Sequence, residues 1–266
     1  MADAVRLWGT FAIATIALLQ PWLIWLIRRH FWAGIIQFHA SGRLEIGYSV
    51  FGPLVNLSGT FRARDRDIYV KSAALSIERS RDRATHTFGW HAFRPITFSL
   101  AKPEDTTLEL AGGFMLMQKS PARMTVVYCD RATQLEMTAP AEELRDAWSK
   151  VLAEEQTRLL KEIEDPYQAY GMLQGRLPQI YEEFRTSPQH VDAFTKLERT
   201  FYWEAGDYTA SLEIETLDPA RSVKQSFVFS ISKIESDLLR WNILSVLRAV
   251  CHQQVSFFNF AYSEIK

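Results

Sequence analysis

From Leu7 to Ile27 the chain carries no charge, and Arg28, Arg29 and His30 follow at once. A helix rises about 1.5 Å per residue, so this run predicts a helix of roughly 30 Å, the thickness of a bilayer's hydrocarbon core. Trp8 at one end and Trp22, Trp25 and Trp32 toward the other suit the headgroup region, and Pro21 predicts a kink near Ala17. The expectation is a single transmembrane anchor marked by Leu7, Trp8, Pro21, Trp22, Trp25, Ile27, Arg28 and Arg29. Asp3 and the exit into Arg-Arg-His argue against a cleaved signal peptide. Arg6 alone precedes the run, whereas Arg28, Arg29 and Arg43 follow it, which puts the body on the cytoplasmic side of a bacterial inner membrane. Phe31 to His39 reads as an interfacial segment or as a linker packed on the body, so residues 1–40 form the first unit.

Residues 41–138 change to period two. Leu44, Ile46, Tyr48 and Val50 alternate with polar or small neighbours, as do Val55, Leu57, Gly59 and Phe61. Such alternation is that of strands with one face in a core, and Phe51-Gly52-Pro53 between the runs is a turn. Ile68 to Arg79 is a third strand, and its change of parity predicts a bulge near Lys71-Ser72. Thr85 to Phe93 is a fourth, with shorter strands at Leu108–Leu110, Phe114–Gln118 and Met124–Tyr128. About seven short strands separated by turn signals predict an immunoglobulin-like β-sandwich.

Residues 139–202 take the helical period. Pro140 at a first-turn position opens a helix with Leu144, Trp148, Val151, Leu152, Leu159 and Ile163 on one face and Glu154 paired with Arg158 on the other. Asp165-Pro166 breaks it, Tyr167 to Phe184 is a short helix or irregular segment, and Ser187-Pro188 starts another helix. In residues 203–266, Tyr208–Ile214 and Phe227–Ile231 alternate as a hairpin. Ser232 and Glu235 form a capping box ahead of Leu239, Ile243, Val246 and Val250. The fold class expected is α+β: a transmembrane helix, an antiparallel sandwich with a helical insertion, and a C-terminal hairpin–helix joined to the sandwich as one discontinuous domain. The plan resembles membrane-anchored bacterial β-sandwich proteins in general, an analogy of fold that implies no activity.

Composition narrows the function classes. With 30 Lys+Arg against 31 Asp+Glu, a net charge of -1, there is no electrostatic footprint for nucleic acid. Cys129 and Cys251 stand far apart in apolar surroundings, which predicts buried free thiols rather than a disulfide. Phosphate-binding glycine motifs are absent, and Gly47 to Gly52 imitates a nucleophile elbow only superficially. His86 and His91 face opposite sides of one strand, so they cannot ligate one metal there. No catalytic, metal or cofactor set is assigned. The one cluster with binding character is basic: Arg62, Arg64 and Arg66 on one loop, Arg79, Arg81 and Arg83 on another. If the loops share one end of the sandwich, they could meet anionic headgroups, although Asp65, Asp67, Glu78 and Asp82 are interleaved. The function expected is a membrane-anchored, non-catalytic interaction or scaffolding protein with the lipid bilayer and a protein partner or itself as partners; the alternative is a lipid- or ligand-binding module at the membrane surface.

Overall fold

The structure is a computed structural model and describes residues 17–27, 35–64, 66–94, 109–217, 220–253 and 258–265. The first element corrects the expected anchor. The described part of helix α1 is residues 17–27. Among the described residues no helix is long and apolar enough to cross a membrane. Pro21, Trp22, Trp25 and Ile27 lie in α1, whereas Leu7, Trp8, Arg28 and Arg29 lie outside the described residues. The single-pass topology, and the cytoplasmic inner-membrane placement derived from it, are therefore not upheld.

The expected sandwich is also corrected. Ten strands form one hydrogen-bonded sheet, not two packed sheets. They are β1 (Ile35–Ser49), β2 (Gly52–Arg64), β3 (Ile68–Arg79), β4 (Thr85–Arg94), β5 (Glu109–Leu110), β6 (Phe114–Leu116), β7 (Ala122–Cys129), β8 (Gly206–Leu217), β9 (Ala220–Ile231) and β10 (Phe260–Glu264). The order is β10-β1-β2-β7-β4-β3-β8-β9, all antiparallel, with β5 on β4 and β6 on β3. Strands of 12 to 15 residues accumulate right-handed twist, and register shifts between Ala40 and Leu44, Val70 and Ser72, and Trp90 and Ala92 add curvature. The sheet curls into a half-barrel until its edges touch. Ser263 on β10 donates from Oγ to Ser230 O on β9 at 2.8 Å and accepts from Ser230 N at 3.3 Å.

Alternation decides which side chains fill the concave face. Val55, Leu57, Phe61 and Ala63 of β2 face Ile46, Leu44, Phe38 and Ile36 of β1 across their register pairs, and all are buried. Leu75, Ile77 and Phe88 meet Leu212 and Ala210 in the same way. Gly59 is required here by close approach. A Cβ there would fall on the Phe38 ring and within 2.8 Å of His39 O. Gly59→Ala is expected to destabilise by about 1–3 kcal/mol, through overpacking. Urea unfolding measures this, and an unchanged midpoint would mean that the concave face has room to spare.

Helices cover the end of the half-barrel near the β1–β2 turn. Helix α2 (Arg131–Glu162) contacts β2 and β4, and α5 (Lys233–Val250) contacts β1 and β10. The start of α2 differs from the expected one because Asp130, not the Pro140 region, caps it. Oδ1 of Asp130 accepts from Ala132 N at 3.0 Å and Thr133 N at 3.2 Å, and the helix then runs through Pro140. An interior proline leaves one carbonyl of the ladder unpaired, a defect that long flanking turns can absorb. The expected Glu154–Arg158 pair is replaced by Glu155, which holds both Arg158 and Arg176 at 2.6 Å. Asp165-Pro166 is a cap and first-turn proline for α3 (Pro166–Phe184), and Ser187 caps α4 (Pro188–Arg199). The Ser232–Glu235 capping box is present on α5.

The chain returns from α4 to the sheet through Phe201, Tyr202 and Trp203, all buried. Trp203 donates its indole N–H to Gly47 O on β1 at 2.8 Å, and Trp203 O accepts from Ser236 Oγ on α5 at 2.8 Å. Tyr202 Oη lies 2.9 Å from Ile77 O and 3.1 Å from Ala84 O. Three elements are thus tied at one short segment.

Candidate functional site

The condition under which the two arginine loops could meet one set of headgroups, a shared end, is not met. Arg62 and Arg64 stand where β2 ends, and Arg66 precedes β3; Arg79, Arg81 and Arg83 stand at the other end of β3. Twelve residues of strand, roughly 40 Å, separate the groups. The second group is neutralised internally. Arg79 grips Asp82 with two hydrogen bonds, at 3.0 and 2.7 Å, and reaches Glu204 at 3.3 Å. Arg81 also reaches Glu204 at 3.3 Å, and Arg83 pairs with Glu78 at 2.5 Å. The Arg79 guanidinium holds the Asp82 carboxyl down at about 2. These three arginines brace a turn in which Arg83 adopts a left-handed φ of 60°.

The first group belongs to a cleft. Gln37, His39, Thr60, Arg62 and Arg64 share the convex face of β1 and β2, where Gln37 opposes Arg62 and His39 opposes Thr60. The β6–β7 turn lies beside them and contributes Gln118, Lys119 and Pro121. That turn is held in place. Ser120 N donates to Met117 O at 3.2 Å, and Gln118 N to the Asp67 carboxylate at 2.8 Å. Two adjoining cavities result, of about 440 and 580 Å³, with Arg62, Gln118 and Lys119 common to both.

An acid–base pair also forms, between residues that sequence reasoning did not join. His86 on β4 and Asp130 at the α2 cap approach to 2.6 Å, Nδ1 to Oδ2, and Thr133 Oγ1 donates to the same oxygen at 2.6 Å. The carboxylate can only accept, so Nδ1 carries the hydrogen. The His86 ring rests 4.0 Å from the Tyr202 ring, centroid to centroid, and the Tyr202 hydroxyl is occupied by backbone carbonyls. Among the described residues no hydroxyl or thiol bonds the other ring nitrogen. The pair therefore joins β4 to α2 and lacks the nucleophile of a hydrolytic triad. Cys129 and Cys251 do not supply one. Burial pushes their thiols up to about 11 and about 12, so both stay protonated at neutral pH. Among the described residues no group of three or more His, Cys, Asp or Glu side chains could hold a metal ion.

The third feature is apolar and faces outward. Helix α5 carries two stripes. Leu239, Ile243, Val246, Leu247 and Val250 are buried, whereas Ile234, Leu238 and Trp241 recur at spacings of four and three on the open side. Trp241 is 63% exposed and Ile234 73%. Contacts of Ser236 with Trp203 and of Arg240 with Glu198 show α4 and α5 running antiparallel. Val191 and Phe194 of α4 extend the apolar surface, and Phe194, Asp237, Arg240, Trp241 and Leu244 line an open cleft of about 450 Å³. Ion pairs edge it: Lys233–Asp237 at 2.7 Å and Arg240–Glu198 at 2.8 Å. The signal for this surface was in the sequence. A helix with apolar residues on two faces has more apolar surface than one core contact can cover.

Comparison with family models, characterised proteins and solved structures finds no match. The functional reading therefore rests on geometry alone.

Proposed function

We propose that the chain is a non-catalytic protein-binding module, and that its α4–α5 face receives an amphipathic helix of a partner protein. The observation that carries this reading is Trp241, largely exposed in an apolar cleft between two antiparallel helices and edged by ion pairs. Large exposed apolar patches rimmed by polar groups mark interaction sites, and tryptophan is enriched among the residues that carry most of the binding energy at protein interfaces. A helix is the occupant whose shape fits. Two parallel ridges leave one groove, and Ile234, Leu238 and Trp241 repeat at the spacing of a facing helix's own stripe.

Photo-cross-linking tests this. A photoreactive residue replaces Leu238 in the full chain, and the cross-linked peptides are identified by mass spectrometry. The expected product is a peptide of another protein with apolar residues at helical spacing, reduced at least tenfold when Trp241→Ser is added, a loss of about 1.4 kcal/mol or more. Cross-links to a second copy of this chain, or yields unchanged by Trp241→Ser, would overturn it.

A further inference from the structure

We infer that the cleft formed by β1, β2 and the β6–β7 turn binds a small organic ligand bearing two phosphoryl groups, a diphosphate or a bisphosphate. This site is separate from the α4–α5 face and does not depend on it.

Charge is the first argument. The chain as a whole is near neutral, at -1, yet Arg62 and Lys119 stand together on the shared wall of two cavities. Among the described lining residues there is no carboxylate. Among the described residues neither Arg62 nor Lys119 has an acidic partner within ion-pair distance, in contrast to Lys71, Arg79, Arg94 and Lys224 on the same sheet. Arg123 opposes Thr60 across β2 and β7 and adds a third cation beside the cleft. Asp67, on the loop between β2 and β3, is engaged by Gln118 N at 2.8 Å. A lone surface cation needs no partner, but two on one concave wall raise the local anion concentration.

Shape is the second. The cavities, about 440 and 580 Å³, each lie in the range of small-molecule sites. They meet at Arg62, whose planar fork presents donors to two oxygens at once, and at Lys119, a point charge on a flexible stem. On one side the wall continues with Gln37 and Arg64, on the other with His39 and Thr60, so donors surround each half. One anionic group per cavity with cations between them matches two phosphoryl groups better than one. The rim is preformed, because the turn carrying Lys119 is fixed to β3 through β6 and to β2 through β7. Less ordering cost then falls on binding.

Titration calorimetry on the full chain with inorganic pyrophosphate, and separately with orthophosphate, tests the inference. Pyrophosphate is expected to bind at least tenfold more tightly than orthophosphate, and more weakly as salt is raised. The double variant Arg62→Gln, Lys119→Gln should lose at least tenfold in affinity while keeping its thermal midpoint, since both side chains are exposed. Arg131→Gln, an exposed cation elsewhere, should bind as the parent does, and so should Trp241→Ser, which separates this site from the protein-binding face. Absence of heat with pyrophosphate at about 1 mM would overturn the proposal. So would equal affinity for the two anions, or an equal loss in Arg131→Gln, which would mark general charge attraction.

Discussion

Trp203→Ala is expected to lower the free energy of unfolding by about 4–6 kcal/mol, the largest effect of any single substitution considered. Truncating a fully buried aromatic costs about 3–5 kcal/mol from lost burial and the cavity left behind. Trp203 has no exposed surface, stacks on Phe88 at 5.6 Å between ring centroids, and meets Tyr202 at 5.0 Å and Tyr208 at 5.9 Å. Its N–H bond to Gly47 O adds about 1 kcal/mol, because the carbonyl would be left in an apolar setting. Against a total of roughly 5–15 kcal/mol, such a loss takes the variant close to unfolding at ambient temperature. Trp203→Phe separates the contributions: it keeps a ring against Phe88 and removes the donor, for a cost of about 1–3 kcal/mol. Urea unfolding followed by far-UV circular dichroism measures both. A loss below about 1 kcal/mol in Trp203→Ala would mean that the helices and the sheet are stabilised independently of this junction.

That junction shows where sequence reasoning succeeds and where it stops. Period-two alternation located the second half of β1, β2 to β4 and the β8–β9 hairpin, whereas Ile35 to His39, read as an interfacial segment or linker, is the first half of β1; the change of parity after Val70 located the register shift that β8 records between Val70 and Ser72. Local chemistry located the caps at Ser187 and Ser232. These features are set by neighbours in sequence. Strand pairing is not. Alternation says that one face of a strand is buried, and this is equally true of a sandwich and of a curled single sheet. The choice lay in bulges and in the contact of Ser263 with Ser230, 33 residues apart. Pro140 misled for a related reason. A proline is preferred in a first turn, so the earlier stretch from Arg131 was assigned to the sheet segment, although Asp130 carried the stronger cap. The run from Leu7 to Ile27 was read as a span from its apolar length; residues 17–27 of it are described as helix, and among the described residues no helix is long and apolar enough to cross a membrane. The candidate sites were half legible. Arg62 and Arg64 were singled out by charge, whereas Lys119 joins them only through the pairing of β6 with β3 and β7 with β2. His86 and Asp130 meet because β4 pairs with β7, and no spacing announces it.

Asp130→Ala is expected to cost about 2–4 kcal/mol and to flatten the acid limb of the stability profile. Three roles are lost together. The side chain caps α2 through Ala132 N and Thr133 N, accepts the Thr133 hydroxyl, and accepts the His86 ring N–H. Loss of a cap costs about 1 kcal/mol, and each buried donor left without an acceptor adds about 1–3 kcal/mol, moderated at His86 by its partial exposure. The pH dependence follows from the carboxyl. Burial works to raise its pKa, but the hydrogen bonds from His86 and Thr133 outweigh burial and hold it below the ordinary value. A group with a depressed folded pKa contributes stability that is fully present above its unfolded pKa, about 3.9 for aspartate, and lost as pH falls through the folded value. The parent chain should therefore lose stability as pH falls below about 4, and Asp130→Ala should lose less over the same interval. Asp130→Asn is the discriminating variant. Its amide oxygen can still cap α2, so it should recover about half of the alanine loss at pH 7, yet lack the acid-linked part because it does not titrate. Urea midpoints taken from pH 7 down to about pH 3 give the comparison. Parallel acid limbs in the parent and in Asp130→Asn would show that other carboxylates govern the acid response, and that the Asp130–His86 contact does not hold β4 against α2 in the way argued.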